Sequence, residues 1–581
     1  MKRWKIFGKK NWIFLRRKPM SNDKSIGKLI GNTGNPNNLK MVLNDSFAAR
    51  RGEFVKIAHQ ERLAEAPTDV LGRLVSISRS NILYNSDMGE GLNSLEMLPG
   101  AQITGETIFA TIELVGYKEP DTGQIRIPRR PLDPGSKVYG VDYEFLARFY
   151  QFDENNSIAL GNLIGYEKGE NIVPVYIDVN KLVTEHFAIL AMTGSGKSYT
   201  VGRIIERLVA QMNGTVIVFD THGEYGRAYE KGELHFNENL TAIEVPKEKE
   251  TIEFIQQRFR DLEAVGAGLK VYTPQIDSFD YKYAGRNQHL ALQFDRFEMD
   301  DFEEILPGLT EPQQRVLDVA IRYWKFKYPN PPRDIQDLRE LLAGDLDELR
   351  NWDDLTDAEA KALNGRSAAV ASMKLNRVIN EAKSFFTKAI GEPTDIYQLA
   401  GEKGDKNGRL IIIDLQGLSD DAKQIVTALV SSEVMRAAAD KKRAIRPVFL
   451  VYEEGHNYAP AGVPTISKKI IKKIAAEGRK FGVGFCIVSQ RPSKLDADVT
   501  SQCNTIITMR LKNPDDQRFI TKTSDMLAQS DIEELPSLST GEALVTGRSI
   551  VAPLLIKVGL KALLHGGQSP EVIKEWGVFG G

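Results

Sequence analysis

The chain has 581 residues, more than one hydrophobic core normally supports, so two or three domains are expected. Its 42% hydrophobic and 27% charged residues suit a globular protein, and a net charge of −2 excludes a basic overall field, so any grip on nucleic acid must come from a local patch. Two cysteines, Cys486 and Cys503, and seven histidines exclude a disulfide framework and zinc-like spacing. That points to the cytoplasm. The only apolar piece near the N-terminus, Trp12 to Leu15, is too short for a signal or a membrane span, so no membrane contact is expected.

Residues 1–60 read as a basic extension. Lys2, Arg3, Lys5, Lys9, Lys10, Arg16, Arg17, Lys18, Lys24, Lys28 and Lys40 face a single acid, Asp23, in the first forty positions, the pattern of a solvated tail. From 61 to 180 the texture turns to short strands, VLGRLVSI, TIFATIELVGY, QIRI and NIVPVYIDV. They are punctuated by the turn Asp121, Thr122, Gly123 and by Pro128, Pro131, Pro134 and Gly135. Such spacing predicts a small β-barrel.

An apolar strand, Phe187 to Leu190, then runs into AMTGSGKS (Ala191 to Ser198) and a helical pattern carrying Val201, Ile204, Ile205, Leu208 and Val209. Strand, glycine-rich loop and helix in this order form a phosphate-binding loop for a nucleoside triphosphate. Gly194 and Gly196 let the backbone curl until its N–H groups face phosphate oxygens, joined by Thr193, Ser195 and Tyr199. Lys197 reaches the β- and γ-phosphates. Ser198 offers a hydroxyl to Mg²⁺, and the helix aims the positive end of its dipole at the anion. Ala191 stands where such loops usually begin with glycine, a mild departure if its φ stays negative.

Next comes FDTHGEYG, which puts Asp220, His222 and Glu224 at a second strand end. Asp220 and Glu224 assist the metal shell or serve a structural turn around Gly223, and the sequence leaves both open. About 180 residues separate this strand from the next convincing one, RLIIIDL (Arg409 to Leu415), too many for a loop, and they read as helices. The clearest starts at Thr310, with Gln313 completing a capping box and Val316, Leu317, Ala320, Ile321 and Trp324 on one face. Acidic runs at 295–304 and 345–357 speak against a DNA groove in this insert.

A further apolar strand, Val448 to Tyr452, ends in Glu453 and Glu454. Strand alternation sends them to different sides. Glu453 is the candidate metal holder with Ser198, and Glu454 the candidate base that polarises the attacking water. The helical stretch from Ser467 to Gly478 sets Lys468, Lys469, Lys472 and Lys473 on a face that reads as solvated. Arg479 follows, serving either the helix dipole or a neighbouring subunit's active site. The strand Gly484 to Ser489 then delivers Gln490, an amide placed to touch both γ-phosphate and lytic water.

Together TGSGKS, VIVFDTHGEYG, LVYEEGHNYAP, AEGRKFGVGFCIVSQRPSKLD and LPSLSTGEALVTG resemble the HerA ATPases, in the HerA/FtsK branch of RecA-like P-loop motors. The resemblance implies an α/β fold: a RecA-like ATPase core over 181–250 and 401–548, interrupted by a helical insertion at 251–400. It further implies a HAS-like barrel at 61–180 and a C-terminal tail at 549–581 that braces a neighbouring subunit. It implies ATP and Mg²⁺, a homo-hexameric ring moving along double-stranded DNA, and a NurA-like nuclease partner in DNA end resection. Lys197, Glu454, Gln490 and Arg479 would carry the chemistry. A ring ATPase that serves a defence complex or moves protein would share these motifs and is the rival reading. Gly455, where relatives usually carry alanine, leaves the ATPase assignment intact.

Overall fold

The computed structural model describes residues 25–566 apart from 37, 45–48, 62–66, 82–105, 120–122, 151–154, 167–171, 231–232, 238–245, 274–287, 293, 295–296, 331–332, 345, 382–393, 525–526, 528 and 551. The basic run before residue 25, the turn residues Asp121 and Thr122, the acids at 295 and 345, and the end of the chain from 567 lie outside the described residues. The chain divides into two compact units: residues 1–151 with 164–173, and 152–163 with 174–581.

The first unit is a barrel. Its strands are β1 (Gly27–Ile30), β2 (Leu39–Leu43), β3 (Phe54–His59), β4 (Thr68–Asn81), β5 (Glu106–Lys118), β6 (Ile125–Arg126) and β7 (Lys137–Gly140). They pair in the order β2-β1-β7-β3-β4-β5-β6, and an extra β2–β5 pairing closes six of them into a cylinder with β6 outside the ring. Closure removes the exposed edges that an open sheet would present. The core is Leu29, Met41, Val55, Ile57, Val70, Leu74, Ile112 and Val138. Register shifts between Leu71 and Gly72 and between Leu74 and Ser76 bend β4 around it. The barrel therefore begins at Gly27, not at residue 61, and three of its strands lie in the stretch read as an extension. Those strands are short and alternate Lys28 and Lys40 outward with Leu29, Leu39, Met41 and Leu43 inward, so their lysines imitate a basic tail.

The second unit holds a twelve-stranded sheet. It contains β8 (Ser157–Leu163), β9 (Pro174–Asp178), β10 (Phe187–Leu190), β11 (Thr215–Asp220), β14 (Gly268–Thr273), β15 (Gln288–His289), β16 (Arg409–Asp414), β17 (Val448–Tyr452), β18 (Val483–Ser489), β19 (Thr505–Thr508), β20 (Glu542–Gly547) and β21 (Leu554–Val558). A separate hairpin, β12 (Tyr229–Glu230) with β13 (Glu233–Leu234), stands apart from it. The order is β15-β14-β16-β11-β17-β18-β10-β19-β20-β21-β8-β9. Pairings from β15 to β19 are parallel and those from β19 to β9 antiparallel. All residues of β10, β11, β17 and β18 are buried, as parallel strands covered on both faces require.

Three expectations change here. β9, the VPVYID stretch read as a barrel strand, pairs with β8 in the large sheet; its half-buried alternation is the same in either setting. The insertion is not purely helical, because β14 joins β16 in parallel. Residues of the supposed brace fold onto their own subunit: β21 pairs with both β20 and β8. The helix from Glu311 to Lys327 appears as read, with the Thr310 amide donating to Gln313 Oε1 at 3.1 Å and Val316, Leu317, Ala320, Ile321 and Trp324 buried.

Candidate active site

β10 lies between β18 and β19, so the loop that leaves its carboxyl end is flanked by the ends of both neighbours. The Ala191 amide donates to the Ser489 carbonyl at 3.1 Å and the Met192 amide to the Arg510 carbonyl at 3.0 Å. Gly194 (φ 77°) and Gly196 (φ 96°) occupy the left-handed region, and Ala191 does not, so alanine fits that position without strain. From the other side the Gly541 amide reaches the Ser195 carbonyl at 2.9 Å and Thr540 Oγ1 the Gly194 carbonyl at 3.2 Å. The loop is clamped on both flanks, and the helix Lys197–Ala210 starts directly behind it. The first-turn amides of a helix have no intrahelical acceptor, which leaves donors for an anion.

Lys197 is 6% exposed and both strand-end acids close on it. Its ammonium lies 2.7 Å from Glu453 Oε1 and 2.6 Å from Glu454 Oε1. Burial alone pulls the lysine down, but the two carboxylates outweigh it and hold Lys197 above its usual range. Burial likewise pushes Glu454 up, yet Lys197, His456 and the Gln490 amide together bring it below the ordinary carboxylate value.

Each acid has its own supports. The Ser198 hydroxyl lies 3.4 Å from Glu453 Oε1, Tyr225 OH donates to Glu453 Oε2 at 2.8 Å, and Thr221 Oγ1 donates to the Glu453 carbonyl at 3.2 Å. Gln490 Nε2 donates to Glu454 Oε1 at 2.5 Å, while Thr193 Oγ1 donates to Gln490 Oε1, so one amide links the phosphate loop to the acid. His456 Nδ1 stands 3.4 Å from Glu454 Oε2 and 3.1 Å from Ser489 Oγ. Glu454 itself is left-handed (φ 53°, ψ 47°), a conformation that costs a residue with a Cβ about 1–2 kcal/mol. The turn sends the Glu453 and Glu454 side chains to the same ammonium from different directions, which alternation along a straight strand would not do.

Of the residues singled out from sequence, Thr193, Gly194, Ser195, Gly196, Lys197, Ser198, Glu453, Glu454 and Gln490 come together. Tyr199 turns elsewhere: its hydroxyl accepts the Lys561 amide at 2.8 Å, and its ring meets His565 edge-on at 5.6 Å. Arg479 lies at the opposite end of the sheet from this subunit's own loop, before β18, on a helix that runs from Ile466 to Phe481 and not only to Gly478. Asp220 is resolved as a turn cap, accepting from the Glu224, Tyr225 and Gly226 amides at 3.1, 2.9 and 3.3 Å. Burial and the nearby Asp414 push its carboxyl up to about 7 in spite of those amides. His222 is exposed and His456 serves Glu454; among the described residues no cluster of three metal-ligating side chains exists.

Sequence reasoning missed Tyr225, although FDTHGEYG contains it, because nothing in the motif shows that the tyrosine bends back to β17. It also missed what fixes the loop helix from behind. Glu206, fully buried, accepts the Ala562 amide at 2.9 Å and the Leu563 amide at 3.0 Å. Arg203, also fully buried, donates to the carbonyls of Leu160 (2.8 Å) and Ala159 (3.1 Å) and pairs with Glu248 at 2.7 Å. Lys561 packs so tightly that a Cβ on Gly202 would meet its side chain at 2.7 Å.

The residues fit a nucleotide with its cation. One buried ammonium against two carboxylates leaves an excess negative charge that a divalent cation would offset, and among the described residues the buried Ser195 hydroxyl has no hydrogen-bond partner. Mg²⁺ takes few protein oxygens and keeps waters and phosphates for the rest, which suits Ser198 beside Glu453.

Residues 158–434 match the family described as helicase HerA, central domain, and residues 26–120 match the HAS barrel domain. A probable helicase of Methanocaldococcus jannaschii is 28% identical over 571 residues, 96% of this chain and 95% of that protein. The DNA double-strand break repair helicase HerA of Pyrococcus furiosus is 28% identical over 92% of this chain and 93% of its own length. Among solved structures, the bacterial conjugative coupling protein TrwB aligns over 74% of this chain and 94% of its own, with a TM-score of 0.47 and 11% identity.

Proposed function

From a chain that is a HerA-type P-loop ATPase, with a HAS barrel followed by the helicase HerA central domain, we propose that it hydrolyses ATP to move along double-stranded DNA. The carrying observation is Lys197 held between Glu453 and Glu454, with the Gln490 amide on the same Glu454 oxygen. Lys197 binds the β- and γ-phosphates, and the phosphates take over the role that the two carboxylates play toward its ammonium. Glu454, relieved of that pairing, regains the basicity to accept a proton from the attacking water. Gln490 spans Thr193 and Glu454 and so registers whether the γ-phosphate is in place. Ser198 and Glu453 would hold Mg²⁺, whose charge would offset that of the phosphates.

DNA as the track is supported by the relatives' names as DNA double-strand break repair helicases. Assembly as a homo-hexameric ring, with a NurA-like nuclease as partner, completes the reading. The test is ATP turnover with and without blunt duplex DNA, alongside sedimentation. Turnover stimulated by duplex, in a closed ring whose DNA affinity falls steeply with salt, is expected; phosphate contacts each contribute about 0.9 to the log–log salt slope. Robust turnover indifferent to DNA, with no DNA binding at low salt, would move the protein to the class of rings that move or scaffold protein.

A further inference from the structure

The site above uses one edge of the parallel strands, and the opposite edge carries two exposed arginines around one acid. Arg479 NH1 lies 3.7 Å from Glu185 Oε1, and Arg548 NH1 lies 3.8 Å from Glu185 Oε2. The acid's side chain is 12% exposed; those of the arginines are 66% and 68% exposed. At such distances charge holds the guanidinium groups without a direct hydrogen bond. Among the described residues Glu185 Oε2 accepts none. The forks therefore keep their N–H groups for a better acceptor.

The backbone around this trio has little play. The Asn504 amide donates to the Glu185 carbonyl at 3.1 Å, and the Arg548 amide to the Asn504 carbonyl at 2.9 Å. His186, next to the acid, is left-handed (φ 54°) and stacks on Phe485 at 4.3 Å. A Cβ on Gly547 would lie 1.9 Å from the Asn504 carbonyl oxygen, so the strand end that precedes Arg548 is pressed against its neighbour. Glu185 precedes β10, whereas the phosphate loop follows it, and four residues of strand separate the two ends by about 13 Å. The arginines thus face away from their own nucleotide site.

We propose that Glu185 is a positioning residue that holds Arg479 and Arg548 as a two-arginine fork for a phosphoryl group bound by a neighbouring copy of this chain. Two guanidinium groups drawn to the two oxygens of one carboxylate converge on a single small anion. Contact with successive phosphates along a duplex would need them spread apart. Arginine is the residue whose planar fork matches phosphate oxygens. A cavity of about 380 Å³ bordered by Ser501, Asn504, Thr523 and Arg548 gives an incoming group room at the same edge. This assignment of Arg548 and Glu185 rests on the ATPase reading.

The test uses the full-length protein and basal ATP turnover without DNA. Arg548→Ala should lower kcat by at least about 10-fold, and by up to the 10³ to 10⁵ seen for arginine fingers if it alone carries that role, and Arg548→Lys should not restore it. Glu185→Gln should lower kcat by a smaller factor and leave KM unchanged, and Glu185→Asp should recover part of the loss. Mixed with Glu454→Gln subunits, Arg548→Ala subunits should regain turnover, because some interfaces then combine an intact acid with an intact neighbouring arginine. Normal kcat in Arg548→Ala, or verified co-assembly without recovery, overturns the proposal. Loss of duplex affinity with basal turnover intact overturns it too, and reassigns the fork to DNA. The ATPase reading is judged separately, by whether Glu454→Gln alone abolishes turnover.

Discussion

Lys197 and Glu454 meet at 2.6 Å across 257 residues of sequence, and the same ammonium reaches Glu453 at 2.7 Å. Lys197→Ala therefore removes more than a phosphate contact: it leaves two carboxylates in a buried site without their cation. Breaking a buried pair in this way costs about 3–5 kcal/mol. Nucleotide-free Lys197→Ala should melt well below the parent protein and bind ATP weakly. Glu454→Gln keeps the shape and leaves Lys197 paired with Glu453, so its melting point should move less and its nucleotide affinity stay near normal, while turnover falls by about 10² or more. Calorimetric melting and nucleotide titration on both variants check this; comparable turnover in Glu454→Gln would remove the acid from its role.

The left-handed backbone at Glu454 sets a second expectation. Glycine occupies φ 53° at little cost, whereas alanine bears the Cβ penalty. Glu454→Gly should thus be more stable than Glu454→Ala by about 1 kcal/mol, the reverse of the usual order, and both should be inactive. Paired urea melts read the difference. Equal stabilities would mean that the turn relaxes once the acid is gone.

His186 gives the protein a specific acid sensitivity. Burial lowers its imidazole from 6.5 to about 4, against the raising effect of a hydrogen bond to the Ala475 backbone, while Nδ1 accepts the Phe485 amide at 3.2 Å. The folded state keeps the ring neutral and the unfolded chain protonates it near 6.5. The contribution is therefore fully present above that pH and declines as pH falls from 6.5 toward 4, at up to about 1.4 kcal/mol per unit. Asparagine tolerates the left-handed backbone and supplies an acceptor, so His186→Asn should be less stable at pH 8, for want of the Phe485 stack, yet show a shallower loss between pH 6.5 and 4. Parallel slopes in a pH series of denaturant melts would place the sensitivity elsewhere.

Much of the site is legible in the chain because its chemistry is local: TGSGKS, the paired acids and Gln490 each sit at the carboxyl end of an apolar strand, and parallel pairing brings such ends together. What stays hidden depends on long-range partners. β9 shows the half-buried alternation of a barrel strand and differs only in what it pairs with. β14 carries GLKVYT inside a helical insert, too short a run to stand out. Arg203, Glu206 and Arg207 read as a polar face of the loop helix, yet all three are buried, since their partners come from Glu248 and from residues 159–160 and 560–563.

Glu206 yields the fourth expectation. In Glu206→Ala the Ala562 and Leu563 amides lose their acceptor, and Lys561, buried and already lowered to about 8 by that burial, loses its nearest counter-charge. Each buried donor left unsatisfied costs about 1–3 kcal/mol, so the variant should lose about 2–5 kcal/mol. Limited proteolysis should then cut between Val558 and Gly566 sooner than in the parent. Because the helix from Lys197 carries this clip, turnover should fall as well; unchanged stability with early cleavage would show that the clip is dispensable to the core.

β8 and β21 bind the two ends of the motor unit side by side, Ile556 opposite Leu163. On the ribosome this pairing imposes a wait. β8 leaves the exit tunnel about 390 residues ahead of its partner, which at 5–20 residues per second is roughly 20 to 80 s with an unpaired strand edge. The barrel's strands all precede β8, and the later part of their unit, residues 164–173, whose Tyr166 OH accepts the Phe54 amide at 3.2 Å, follows β8 directly, so the barrel can close early in that interval. The nascent chain is thus expected to hold a finished barrel and an unfinished sheet for most of its synthesis. Chains stalled before residue 554 should expose β8 and β9 to protease, while chains stalled with β21 clear of the tunnel protect them.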